Sequence, residues 1–282
     1  MVISRRLWRA LRRYPTVWLG LAIVAVVCLG AALAPWVSPY DPTALDVPNR
    51  LSAPSPLHRL GTDDFGRDVW SRILYGARVS VLVGGAVTLV TSVAGVVLGL
   101  LAGYYPRADH LIMRLMDGLM AFPAILLAIA IMAALGPHVI NVIAALSAVY
   151  TPRTVRVVRA GALSLRNADY VQAARALGCS DARILFRHIL PGVLSPLVVQ
   201  ATFTFANAVL AEASLSFLGA GVPPEQPSWG GMLAEGRSYI RQAPWMTVYP
   251  GLAIALTVLG LNMLGDGVRD FLDPRARKEQ VI

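Results

Sequence analysis

An all-α integral membrane protein with six transmembrane helices is the fold this sequence predicts, and three observations carry the prediction. Of 282 residues, 56% are hydrophobic and only 15% charged, against about 25% charge in an ordinary soluble domain. The apolar residues gather in runs long enough to cross a bilayer, which takes roughly 20 residues at 1.5 Å each. The basic residues sit beside those runs, which is how membrane topology distributes arginine. The net charge of +9 therefore reads as orientation, and nucleic acid is not an expected partner.

Residues 1–16 form a basic N-terminus expected in the cytoplasm, with Arg5, Arg6, Arg9, Arg12 and Arg13 and no acid among them. The first span is 17–37. Two targeting signals are mimicked here, a twin-arginine stretch in Ser4–Trp8 and a cleavage-like Ala32-Leu33-Ala34. The apolar run is longer than the 7–15 residues of a signal core, and Pro35 follows the cleavage-like site directly. A retained span is expected. Residues 38–78 balance arginines against aspartates and are placed outside.

The second span, 80–103, carries Gly95, Gly99 and Gly103, a small-xxx-small ridge that lets another helix approach closely. The third, 114–135, contains Pro123, a predicted kink. The fourth, 139–158, is the weakest, because its apolar part stops at Thr151-Pro152-Arg153. It counts as a span because neighbours can shield a broken helix from lipid. The fifth, 193–219, is unusually polar: Gln200, Thr204, Asn207, Ala211 and Ser214 recur at helical spacing on one face. Such a strip either lines a water-filled path or bonds to neighbouring helices. Residues 220–246 balance Arg237 and Arg241 with Glu225 and Glu235 and are placed outside. The sixth span, 247–265, leads to a cytoplasmic tail, 268–282.

Two acids fall at membrane depth. Glu212 lies about 30 Å along the fifth helix from Pro191, near the outer boundary, and either is hydrated there or forms an outer gate. Asp117 is near the inner end of span three, within reach of Arg114 at i−3 for a local ion pair, or facing a path. Cys28 and Cys179 give no disulfide framework or metal spacing, and the four histidines are scattered. Lys278 is the single lysine, so a phosphate loop ending in G-K-[ST] is impossible.

Between spans four and five the chain turns polar, with Arg153, Arg156, Arg159, Arg166, Arg175, Arg183 and Arg187 against Asp169 and Asp181. The positive-inside rule puts this stretch in the cytoplasm with both termini. Asp169 followed by Gln172 resembles a capping box that opens a helix at about Tyr170. Gly178 suits a left-handed closing position. Ser180 and Asp181 cap a second helix, expected to yield at Pro191. Ala173 and Ala174 are small enough for another surface to approach the backbone. The arginines offer charge-assisted bonds to an acidic partner or to lipid headgroups.

The motif Q-A-A-x-x-x-G (172–178), followed by His188-Ile189-Leu190-Pro191, resembles the E-A-A signature of ABC importer permeases, with Gln172 where glutamate is usual and His188 where isoleucine is frequent. GTDDFGRDVWSRILYGARVS (61–80), Met113 to Pro123, AEASLSFLGAG (211–221), PSWG (227–230) and LGDGVRDFLDP (264–274) are similar to the second permease subunit of the dipeptide/oligopeptide/nickel family. The resemblance implies a type I ABC importer permease: a core over 79–267 with a cytoplasmic coupling hairpin, 160–191. It implies no catalytic residue, metal or cofactor in this chain, with ATP and magnesium on partner ATPases. Gln172, Ala173, Ala174, Gly178, Ser180, Asp181 and Arg183 become the expected ATPase-docking residues. Gln200, Thr204, Asn207, Glu212 and Asp117 become candidates for the pathway or its gates.

The implied partners are a homologous permease in a heterodimer, two ATPase subunits or domains, an extracytoplasmic solute-binding protein and membrane lipid. The implied location is a bacterial inner membrane. Members of the family carry di- and oligopeptides, nickel chelates, glutathione and some sugars. Two rival classes lack support in the residues. A secondary transporter would show related halves and a midplane acid; an intramembrane hydrolase would need a placed nucleophile and base, yet no G-x-S-x-G occurs.

Overall fold

The computed structural model describes residues 15–272, and the regular elements among them are helical, apart from one isolated bridge between Thr62 and Asp68. The arginine-rich stretch 1–14 and the tail beyond 272 lie outside the described residues. Helix α1 spans Pro15–Val37. After a loop with one short 3-10 turn (Val47–Asn49), α2 runs Val69–Tyr104, beginning well before the predicted start at 80. Asp68 is the reason. Its carboxylate accepts from the Ser71 amide and hydroxyl, both at 2.8 Å, which satisfies an orphan donor of the first turn.

The third span is broken rather than kinked. Helices α3 (Pro106–Met120) and α4 (Ala124–Leu135) meet at 91°. Pro123 has no amide hydrogen and pushes Phe122 away from helical geometry, so the hydrogen-bond ladder stops here. Helix α5, Val139–Leu165, continues beyond the predicted end at 158, with Pro152 inside it. The hairpin follows as α6 (Asp169–Ala176) and then α7, one continuous helix over Asp181–Phe217. The expected yield at Pro191 does not occur. Over Ile184–Ile189 the ladder widens to a π-helix, in which the Leu190 amide bonds to the Leu185 carbonyl. This wider turn, just ahead of Pro191, absorbs the missing donor. Two outer elements close the chain order: α8 (Trp229–Gly236) and the long α9 (Trp245–Leu272).

Among the described residues, α1, α2, α7 and α9 are long and apolar enough to cross a membrane, and the bent pair α3–α4 makes a fifth crossing if counted as one. Helix α5 is long enough at about 40 Å but carries Arg153, Arg156 and Arg159. The predicted count of six is therefore not what these helices display by length and composition.

The glycine ridge sits where the helices approach most closely. A Cβ at Gly95, Gly99 or Gly103 would collide with Thr154, Val158 or Ala162 of α5, respectively. Without a hydrophobic drive between helices in lipid, this backbone-close packing supplies the attraction. Three buried clusters fill the bundle. One at the hairpin end joins Tyr104, Val158, Val171, Ile184 and Ile189. The other two share the same stretch of α7: one joins Val87, Ala128, Leu146 and Leu215, and the other gathers Val69, Val209, Trp229 and Ile254.

Candidate functional site

The hairpin is built around its own small core and leaves its tip uncovered. Val171 and Ala174 turn inward against Ile184, Leu185 and Ile189. Of the two alanines expected at a docking surface, only Ala173 faces out; Ala174 is buried. The capping box does not form. Asp169 is already in the first helical turn after Ala168, no side chain caps the helix, and the Gln172 amide reaches back to the Arg166 carbonyl at 3.3 Å. Ser180 precedes α7 without a side-chain capping bond. Gly178 adopts φ +76°, the left-handed conformation, with nothing within 4 Å of where a Cβ would stand.

Around that turn lie residues the sequence reading missed. Leu177 is 84% exposed and Phe186 63%, an apolar rim on an otherwise polar hairpin. Their signal was legible, since Leu177 ends a charged helix and Phe186 interrupts a basic run. Arg183 is exposed as well. Asp181 is engaged elsewhere: its carboxylate accepts from the Tyr104 hydroxyl at 2.7 Å and from the Tyr105 hydroxyl at 2.9 Å.

The polar strip of α7 is split. Thr204 is buried and accepts from Gln200 at 3.3 Å. Asn207 is exposed and donates to its own helix at the Phe203 carbonyl. Asn207, Ala211 and Ser214 edge a groove of about 350 Å³, with Tyr150 of α5 and Ala124 and Ala128 of α4 on the other sides. Glu212 does not face this groove. It is fully buried, and its two oxygens accept from Ser80 of α2 at 3.1 Å and from Ser216 at 2.9 Å. Asp117 pairs with Arg156 of α5 at 2.6 Å, not with Arg114. Alongside it, Asp109 takes both arms of Arg159 at 2.5 and 2.6 Å. Helix α3 is thus tied to α5 by charge.

A second charged cluster, at the other end of α2, was not singled out from the sequence. Arg72 is 2% exposed. It bonds Asp63 and grips Glu235 of α8 with both nitrogens, at 2.6 and 3.1 Å. Arg67 joins the same two acids at 2.6 and 3.0 Å. Asp64 completes three gathered carboxylates. Burial first, then the charges of Asp63 and Glu235, pushes its carboxyl above the usual range. With both arginines on Asp63 and Glu235, the cluster is an ion-pair brace rather than a cation cage. Two tryptophan contacts reinforce it: Trp229 donates to the Ile73 carbonyl and Trp245 to the Thr62 carbonyl, each at 3.0 Å.

Comparison with known proteins supplies the context for this geometry. Residues 95–278 match the model of the binding-protein-dependent transport system inner membrane component, and residues 4–54 match the N-terminal transmembrane domain of oligopeptide transport permease C. A Brucella abortus protein named as a peptide transport system permease is 52% identical over 96% of this chain and 92% of its own. The di/tripeptide transport system permease protein DppC of Pseudomonas aeruginosa is 46% identical over 92% of this chain and 88% of its own. The glutathione transport system permease protein GsiD of Pectobacterium atrosepticum is 45% identical, covering 97% and 91%. An inward-facing structure of the MetNI methionine ABC transporter superposes with a TM-score of 0.60 at 18% identity, covering 73% of this chain and 97% of that one. That likeness is one of fold.

Proposed function

Since the chain belongs to the binding-protein-dependent transport system inner membrane component family, we propose that it forms half of the pathway of an ATP-driven importer of di- or oligopeptides. The observation that carries the assignment is the match over nearly the whole length to permeases named for peptides. The chain is a multi-pass component of the inner membrane with a type I ABC importer fold. It serves as a permease rather than a catalyst. A second permease would complete the path, and two ATPases would bind ATP and magnesium. An extracytoplasmic binding protein would deliver solute.

In this reading the hairpin seats in an ATPase through Gln172, Ala173, Gly178, Ser180 and Arg183. The exposure of Leu177 at the turn and of Phe186 on the second arm supports it, because apolar side chains left open on a water-facing hairpin favour burial against a partner. Asn207 and Ser214 line the path at the groove. Thr204 and Glu212 back it from inside the bundle, and Asp117 braces the bent third span. Helix α5, with residues 139–158 as its crossing segment and its arginine-bearing half packed on α2, supplies the sixth crossing. ATP-driven closure of the ATPases would displace the hairpins and switch the path between inward- and outward-facing states. Proteoliposomes holding both permeases and both ATPases should take up tryptone peptides with ATP and the binding protein present. No uptake on omitting this chain is the expected control, and equal uptake without ATP would overturn the assignment.

The arginine asymmetry supports a topology with residues 152–191 inside and 38–78 with 220–246 outside, the first outer segment ending at 68 where α2 begins. In a chain with Cys28 and Cys179 replaced by serine, single cysteines at the exposed positions Ser55 and Glu225 should react with an impermeant thiol reagent in intact cells. One at Ser164 should stay silent. The reverse pattern would invert the topology. A cysteine at Asn207 should react with a small water-soluble, permeant reagent, and silence there would return the strip to plain packing.

A further inference from the structure

Two physical routes lead from the hairpin into the membrane. One runs along α7 through the π-helical turn at Ile184–Ile189. The other runs sideways into the end of α2, and its geometry is more definite. Tyr104, 9% exposed, is the last residue of α2. Its hydroxyl donates to Asp181 at 2.7 Å and accepts from Arg175 at 3.2 Å. Arg175 belongs to the first arm of the hairpin and Asp181 to the second. One hydroxyl therefore ties both arms to one helix end. Tyr105 takes the other oxygen of Asp181 at 2.9 Å, and its ring packs edge-on against Tyr104 with centroids 4.9 Å apart. Arg166, at the entry to the hairpin, donates to the Gly103 carbonyl at 3.3 Å.

What α2 receives at this end it passes on. The glycine ridge begins one residue before Tyr104 and seats α2 on α5 with no side chain between the backbones to yield. The π-helical turn on the other route departs from the regular α-ladder. Bonds to a charged carboxylate and from a guanidinium are the stronger kind, shorter and more directional than neutral ones.

We infer that Tyr104 and Tyr105 are positioning residues that clasp both arms of the hairpin and deliver its displacement to α2, and through α2 to α5. The inference rests on the docking role proposed for the hairpin, but the tyrosines belong to the end of α2 and not to the hairpin itself. Phenylalanine at both positions keeps the rings and their packing and deletes only the hydroxyls.

The test is the double variant Tyr104→Phe/Tyr105→Phe in the full complex, reconstituted with its ATPases and binding protein and supplied with tryptone peptides. The ATPases should still co-purify and hydrolyse ATP. Peptide moved per ATP hydrolysed should fall about three- to tenfold, since the deleted bonds are charge-assisted but Asp181 is open to solvent. A purely structural role would lower uptake and hydrolysis together and leave that ratio unchanged, which would overturn the inference. Loss of the ATPases would also overturn it, by making the hydroxyls shapers of the docking surface. Failure of the docking reading itself is read separately, with the tyrosines intact, from the Gly178 variant below.

Discussion

Gly178→Arg is expected to leave the protein in the membrane, paired with its partner permease, while its ATPases are lost on purification or hydrolyse ATP without moving solute. Gly178 has φ +76°, where any side chain costs roughly 1 kcal/mol of backbone strain. That alone would not empty the membrane of protein, because the turn lies outside the bundle. The Cβ itself would meet nothing beyond the neighbouring residues within 4 Å. Steric damage is therefore expected chiefly from a partner seated on the turn. Gly178→Ala separates the two contributions, carrying the strain without the bulk, and should be mild. Arg183→Ala should be mild as well, because a single exposed charge contributes little. Co-purification of the ATPases and uptake per complex are the measurements. Native uptake by Gly178→Arg would return the hairpin to an ordinary loop.

The second large effect is expected at the opposite face. Arg72→Leu removes the cation from a buried cluster and leaves Asp63 and Glu235 with only the flanking Arg67. Breaking a buried ion pair outright typically costs about 3–5 kcal/mol, and Arg67, which still bonds both acids, holds the loss below that range. The brace that joins the loop before α2 to α8 should open. The expected result is a lower melting temperature in detergent and less complex in the membrane, with the hairpin and its ATPases affected only through that loss. Arg78→Leu is the matched control, two turns from the same cluster but exposed, and should melt like the native protein. An unchanged melting temperature for Arg72→Leu would mean that the packing of Trp229 and Trp245 holds these segments alone.

Several elements were legible in the chain because each depends on local composition. The long apolar helices α1, α2, α7 and α9 follow from runs that cannot be satisfied in water. The close approach of α2 to another helix follows from three glycines four residues apart. The left-handed turn at Gly178 follows from a glycine between two helix patterns. Pro123 marked a disturbance, although proline alone does not fix its size: a kink and a 91° break begin with the same missing amide hydrogen, and neighbouring α5, tied to α3 through Arg156 and Arg159, is present only once the chain has folded.

The remaining errors have the same origin. Asp181 looks like a helix cap, Asp169 with Gln172 like a capping box, and Asp117 like the partner of Arg114, because a linear reading can offer a polar side chain only near neighbours. Folding brought Tyr104 and Tyr105 to Asp181, and Arg156 to Asp117, at separations of 77, 76 and 39 residues. Charge-assisted bonds to these partners replaced the weaker local ones. Glu212, read as an outer-boundary acid, is enclosed with Ser80 and Ser216 because α2 covers that side of α7. By itself, then, the sequence determined that the chain is helical, where four long apolar helices lie and that the backbone turns at Gly178, since hydrophobicity and backbone conformation act over a few residues. Tertiary structure alone decided which partner each polar group meets, because that depends on which distant segment brings a donor or acceptor within reach.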